Sequence, residues 1–202
     1  VFELYGRLSA MRRILLLLAI CLWPGAALAD DVTSAYTRFE IENDCRLVEQ
    51  DAEKTYAVWS CPGYEGAEII QAVSDDRSFV GFGPDGRQRC TFRRTFTPFN
   101  TALSPVEWRL RNGLPFAVIE RWRVWTDDQG NSKTWLVVSA LHDDDTCPVH
   151  YVAGSYPKAN EEARRAADDI VPGFNCKTDT PGFSSTIGAP PIDLEPCGVP
   201  AE

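Results

Sequence analysis

The sequence predicts an α+β protein: an antiparallel β-sheet of about six to eight strands with one C-terminal helix packed on it, the whole stapled by disulfides. Three observations lead there. Between Tyr36 and Tyr151 short apolar runs alternate with turn-forming clusters. Only Asn160 to Val171 has helical spacing, and it follows the strands rather than interleaving with them. Seven cysteines become six once an N-terminal export signal is removed.

That signal is read from Met11-Arg12-Arg13 as a cationic start, Ile14 to Leu22 as an apolar run, Trp23-Pro24-Gly25 as its break and Ala27-Leu28-Ala29 as the small-residue cleavage site. The run is shorter than the roughly 20 residues that anchor a helix in a bilayer. Translation from Met11 would leave the preceding residues upstream of the protein proper, so residues 1–29 are read as upstream residues plus signal peptide. A rival reading makes Cys21 a lipid-modified cysteine after Leu18-Ala19-Ile20, but Ile20 is bulky where that processing needs a small residue. The expected location is periplasmic or secreted, with no transmembrane anchor after cleavage. Residues 30–177 are read as one α+β domain and 178–202 as an irregular Pro/Gly-rich tail.

Removing residues 1–29 takes away Arg7, Arg12, Arg13 and Glu3, moving the formal charge from −9 to −11. A chain this acidic is not a nucleic-acid binder.

Each element follows from local pattern. Cys45 to Glu49 and Thr55 to Cys61 flank Asp51-Ala52-Glu53-Lys54 as a hairpin. Ala67 to Val73 and Ser78 to Phe82 form a second pair, and Gly83-Pro84-Asp85-Gly86 a turn. Arg89 to Phe96 is expected to be a strand. Thr97 to Pro105 reads as an irregular crossing, because its prolines withhold ladder donors; Val106 to Leu110 is a short strand ending at Arg111-Asn112-Gly113. The best hairpin joins Phe116–Thr126 to Ser132–Leu141, with Phe116, Val118, Trp122 and Val124 on the core face. A register centred on Gln129 would set Arg123 opposite Trp135 as a cation–π pair. In the helix, Asn160 is the expected cap, Glu161 and Glu162 suit its positive end, Ala163, Ala166, Ala167 and Ile170 form the buried stripe, and Pro172-Gly173 stops it.

Six cysteines allow 15 connectivities, and geometry ranks them. Cys45 and Cys61 flank the first hairpin symmetrically; Cys147 and Cys176 bracket the helix; Cys90 and Cys197 remain, and their bond would tie down the tail. With no Cys-x-x-Cys, a metal or redox centre is not expected, and no cofactor is implied.

His142 and His150 are the two histidines. His142-Asp143-Asp144-Asp145 gathers ligand types, but consecutive residues do not point one way, so a solvated acidic loop is the expectation. No Gly-x-Ser-x-Gly elbow occurs and no carboxylate pair stands out. The charge distribution is more informative. Between Arg87 and Arg123 eight arginines face two glutamates, inside an acidic protein. Arg93, Arg109, Arg121 and Arg123 with Trp125 are the candidate ligand-binding set, on a sheet face suited to carboxylate, phosphate or sugar. The alternative is that these arginines pair with acids elsewhere in the chain. Trp59, Trp108, Trp122 and Trp135 are expected in the core.

The segments Trp59 to Gly66, Pro98-Phe99-Asn100 with Glu107 to Leu110, Cys147 to Tyr151 and Asn160 to Arg164 resemble an uncharacterised family of exported, disulfide-bridged bacterial proteins. The likeness spans residues 36–177 and implies no activity. Small periplasmic lysozyme inhibitors share the exported, β-rich, bridged character, but their Ser-Gly-x-x-Tyr signature is missing, so the likeness is one of class. The expected function is a non-enzymatic binding or accessory module for an envelope glycan of anionic character or a periplasmic protein. The alternatives are an envelope hydrolase using His142 or His150, and a structural stress protein.

Overall fold

The computed structural model describes residues 31–198. The export signal and Cys21 lie outside the described residues. Ten strands run as β1 Val32–Thr37, β2 Arg46–Gln50, β3 Tyr56–Pro62, β4 Glu68–Ser74, β5 Arg77–Phe82, β6 Asn100–Arg111, β7 Leu114–Trp125, β8 Ser132–Leu141, β9 Thr146–Ala153 and β10 Gly182–Ser184. Helices are the short α1 (Ile41–Asp44) and α2 (Cys90–Arg93) and the longer α3 (Ala159–Asp169). The expected α+β class stands, but the strands divide between two sheets. A large sheet has the order β1-β6-β7-β8-β9-β10 and a small one β2-β3-β4-β5.

The large sheet is buried on both faces. Val118, Trp122 and Val124 of β7 point with Trp135, Val137 and Tyr151 toward Cys61, Ile69, Val80 and Phe82 of the small sheet. The alternate residues Ala117 and Ile119 point with Leu136, Val138 and Val152 toward Ala163, Ala166 and Ala167 of α3. The period-two alternation of a strand sends neighbouring side chains to opposite faces, so a sheet covered twice shows apolar residues at consecutive positions. Three fully buried alanines on α3 let its backbone lie close to the sheet.

Several elements depart from the sequence expectation for identifiable reasons. Arg89–Phe96 is not a strand; its middle is α2, held by the Cys90–Cys197 bond, by Cys90 N–H donating to Asp145 Oδ1 (2.9 Å) and by the Thr91–Thr146 hydroxyl contact. The irregular crossing is instead the first half of a twelve-residue β6. Its register on β7 breaks between Leu103 and Glu107, where Pro105 sits, so the missing donor costs no ladder bond. Asn160 does not cap α3. Lys158 takes that place in a left-handed conformation, and Asn160 Oδ1 accepts from Arg121 (2.9 Å). The tail is not wholly irregular either: β10 adds in parallel to the edge of β9, and Ile192 and Leu194 pack on the inter-sheet core. Asn112 and Gly113, both at positive φ, close the β6–β7 hairpin as that tight turn demands.

All three disulfides form as ranked: Cys45–Cys61, Cys90–Cys197 and Cys147–Cys176. The second ties the tail across 107 residues of sequence.

Two ion pairs anchor α3 to the large sheet. Arg109 of β6 grips Asp168 with two parallel bonds (2.9 and 2.6 Å) and also donates to Ser34 of β1. Arg164 of α3 grips Glu107 of β6 the same way (2.6 and 3.2 Å). Fork-on-carboxylate geometry makes these strong and directional. Arg109→Ala would strand Asp168 over the sheet. We expect a loss of about 3 kcal/mol, below the fully buried case because Asp168 keeps some water. Urea denaturation measures it, and a loss under about 1 kcal/mol would mean that alanine packing alone holds the helix.

Candidate binding surface

The row of β7 side chains that faces α3 continues past the helix. After Ala117 and Ile119 come Arg121, Arg123 and Trp125, and by register their neighbours on β6 are Leu103, Thr101 and, through the Trp125 N–H···O=C Phe99 bond (2.9 Å), Phe99. On β8 they are Leu136, Thr134 and Ser132. Phe99 is 50% exposed, so it forms with the half-buried Trp125 an aromatic ledge at the open end of the sheet. A concavity of about 590 Å³ lies beside the ledge, walled by Trp125, Phe99, Lys133, Asp128 and the tail residues Ile187 and Pro191. It adjoins a second one, about 440 Å³, lined by Arg121, Lys133, Thr134 and Ser155, with Ile187 common to both.

Three of the five candidate residues meet here, and two do not. Arg121 and Trp125 line the concavities and Arg123 is exposed between them. Arg109 is 7% exposed and spent on Asp168, so its place in a ligand-binding set is corrected to a structural one. Arg93 lies on α2, donating to Gln88 O (2.8 Å), and lines none of the concavities around Trp125. The expected Arg123–Trp135 pair is also corrected: Trp135 pairs with Trp122, and Arg123 with Thr134. Both tryptophans face the inter-sheet core, and cross-strand partners must share a face, so a one-residue slip would have driven Arg123 into it. Sequence reading missed Phe99 and Lys133, which reach the surface through the register of β6 and β8 rather than through any motif. Trp108, Trp122 and Trp135 are core residues, as expected.

The surface carries both signs of charge. Among the described residues Arg121, Arg123 and Lys133 meet no carboxylate; Arg121 bonds only the neutral Asn160. Acids line the concavity beside Trp125 together with Lys133 and Arg77. Asp127 is held below the usual carboxylate range by the Asn131 side chain and by the N–H groups of Asn131 and Gln129, which also fold the β7–β8 turn. Asp75 pairs with Arg77. Asp76 and Asp128 are exposed, and their carboxylates have no such partner.

The histidines are engaged in structure. His142 Nε2–H donates to Phe174 O (3.2 Å), and the following acids disperse, Asp144 to Lys177 and Asp145 to the N–H groups of Cys90 and Thr146. His150 lies under β10 with Nε2 2.9 Å from Ser184 Oγ, which is 2.7 Å from Glu162 Oε1. Arg165 and Ser184 hold Glu162 ionised, and burial pushes His150 below its usual range, so the ring is neutral. The single hydroxyl proton goes to the carboxylate, and His150 Nε2–H donates to Ser184. An activated nucleophile needs the reverse direction. No group of three or more His, Cys, Asp or Glu among the described residues could hold a metal ion.

One buried acid was not foreseen. Glu120 is 4% exposed between the sheets, beside Tyr151 Oη and Trp122 Nε1, neither of which has a hydrogen-bond partner. Burial pushes the Glu120 carboxyl up to about 8; the indole of Trp122 pulls weakly the other way. The native state therefore keeps this proton while the unfolded chain loses it above 4.5, and Glu120 drains stability as pH rises from there to about 8. Glu120→Gln removes the titration. We expect the variant to match the parent near pH 4.5 and to exceed it by up to about 4 kcal/mol at pH 8, read from denaturant melts at both pH values. Equal pH slopes in the two proteins would refute a neutral buried Glu120.

Fold and surface together define a disulfide-bridged α+β protein of three layers, with a charged and aromatic surface where the helix layer ends. Compared with known proteins, the chain matches no family model, no curated protein and no solved structure. Three disulfides fit maturation in an oxidising, extracellular type of compartment. No helix among the described residues is long and apolar enough to cross a membrane.

Proposed function

We propose that this protein is an exported, periplasmic or secreted, non-enzymatic binding or accessory module that takes an anionic glycan or a protein partner on the open end of its large sheet. The observation behind the reading is the cluster Arg121, Arg123 and Lys133. In a chain of net charge −9, three cations without a carboxylate partner gather beside an exposed Trp–Phe ledge. Several other arginines are engaged in structure: Arg109 by Asp168, Arg164 by Glu107, Arg94 by Asp193 and the tail carbonyls. Unpaired cations beside an aromatic face suit recognition of an anion joined to an apolar or ring-shaped body.

Titration of the oxidised protein with anionic glycans, followed by tryptophan fluorescence, tests the reading. We expect a saturable change that weakens as salt is raised and that falls at least about ten-fold in affinity in Arg121→Ala/Arg123→Ala, the loss of two charge-assisted contacts. Those side chains are outside both cores, so the variant should stay folded, with no more than the roughly 1 kcal/mol that the Arg121–Asn160 bond contributes lost from its melting curve. A glycan response that persists in the double variant would move the site elsewhere on the molecule.

A further inference from the structure

We infer that the space beside Glu120, between the two sheets, is a binding site for a single internal water molecule, held by the Glu120 carboxyl, the Trp122 indole N–H and the Tyr151 hydroxyl. This site is separate from the surface at the open end of the large sheet and does not depend on what that surface binds.

Strand register brings the three groups together. Glu120 of β7, Val137 of β8 and Tyr151 of β9 are direct neighbours across three strands. Trp122 follows Glu120 two positions on, on the same face of β7. Two strand spacings set the backbones of Glu120 and Tyr151 roughly 10 Å apart. Two long side chains therefore flank a short one, and a space of about 10 Å³ remains, lined by all four residues. Val80 of the small sheet, Phe96 and the tail residue Ile192 close it from the other side.

Size and lining identify the occupant. A space of about 10 Å³ is near the least that admits one water molecule. It is far below the roughly 300 Å³ at which pockets for organic ligands begin. Interior spaces that exclude water are lined by apolar groups. Here Trp122 Nε1 and Tyr151 Oη, both on buried side chains, have no hydrogen-bond partner in the protein. The Glu120 carboxyl feels the indole without receiving a bond from it. Other polar side chains around the space are committed elsewhere: Thr91 to Thr146, Thr95 to the carbonyl of Ser78, Arg94 to Asp193 and the tail.

Donors and acceptors also match. An indole N–H only donates, whereas a phenol and a protonated carboxyl do both, and burial keeps Glu120 protonated. Trp122 Nε1–H and the Glu120 O–H donate to the water oxygen, and the water donates to Tyr151 Oη. Those three bonds are the usual number for a buried water. They leave neither the indole nor the phenol unpaired in the interior, where an unmade bond is costly.

Two measurements on the oxidised protein test the site: a crystal structure fine enough to show ordered water, and nuclear Overhauser contacts between water and the Trp122 indole proton in solution. We expect a solvent peak about 2.7–3.2 Å from the Glu120 carboxyl, Trp122 Nε1 and Tyr151 Oη, and a water contact to the indole proton. Glu120→Gln keeps a donor and an acceptor at that place and should retain both signals. Val137→Ile adds a methylene where the water sits and should abolish both, with circular dichroism checking the fold. A parent crystal structure without the peak, or with Glu120 bonded directly to Trp122 or Tyr151, overturns the inference. So does an indole contact that vanishes in Glu120→Gln, which would trace it to the exchanging carboxyl proton, or one that survives in a folded Val137→Ile. Should Val137→Ile fail to fold, the parent structure and Glu120→Gln decide the question.

Discussion

Strand β7 is twelve residues long and spans about 40 Å, whereas α3, at eleven residues, spans about 16 Å. That mismatch shapes the molecule. A helix of this length covers only part of the row that begins with Ala117 and Ile119, so the same row emerges from cover as Arg121, Arg123 and Trp125. On the opposite face the small sheet reaches further, and Val118, Trp122 and Val124 all stay buried. The buried and the exposed halves of the strand thus follow one alternation, read against two covers of unequal length.

The ion pairs that seat the helix determine which arginines are left over. Arg109 and Arg164 close on Asp168 and Glu107 at the covered end, where the buried member of each pair, Arg109 or Glu107, needs a charged partner. Farther along, Arg121 finds only Asn160 at the start of α3, a neutral group that orients the guanidinium without neutralising it. The tail then completes the surface. Arg94 bonds Asp193 and the carbonyls of Glu195 and Pro196, Cys197 is tied to Cys90, and Thr97 N–H donates to Pro191 O, which together hold Ile187 and Pro191 as one wall of the groove. A segment rich in proline and glycine becomes one wall of the concavity because it is fastened at β10, at Pro191 and at Cys197.

Glu120 shows the cost of the same alternation. It lies on the core-facing row of β7 between Val118 and Trp122, and the only way to bury it there is neutral. Beside it, Tyr151 and Trp122 also leave polar atoms unmatched. The interface between the sheets therefore holds unmatched polar atoms beside the aromatic cluster of Phe96, Trp122, Trp135 and Tyr151.

By itself the sequence determined what local periodicity and covalent spacing can encode: the α+β class, both early hairpins, the β7–β8 hairpin, the alanine stripe of α3 and the Cys45–Cys61 bridge across the first hairpin. Each depends on residues close in the chain or on symmetry about a turn. It also marked Arg121, Arg123 and Trp125, since alternate positions of one strand necessarily share a face. Only the tertiary structure decided the division into two sheets, the helical turn at Cys90–Arg93 and the strand at Gly182–Ser184, because those answer to distant partners: Cys197, Asp145 and the edge of β9. It separated Arg109 from Arg121, two residues of the same type whose difference lies in whether α3 or solvent covers them. No local pattern records how far a helix reaches across a sheet, and that reach decides which arginine is buried on a carboxylate and which meets none.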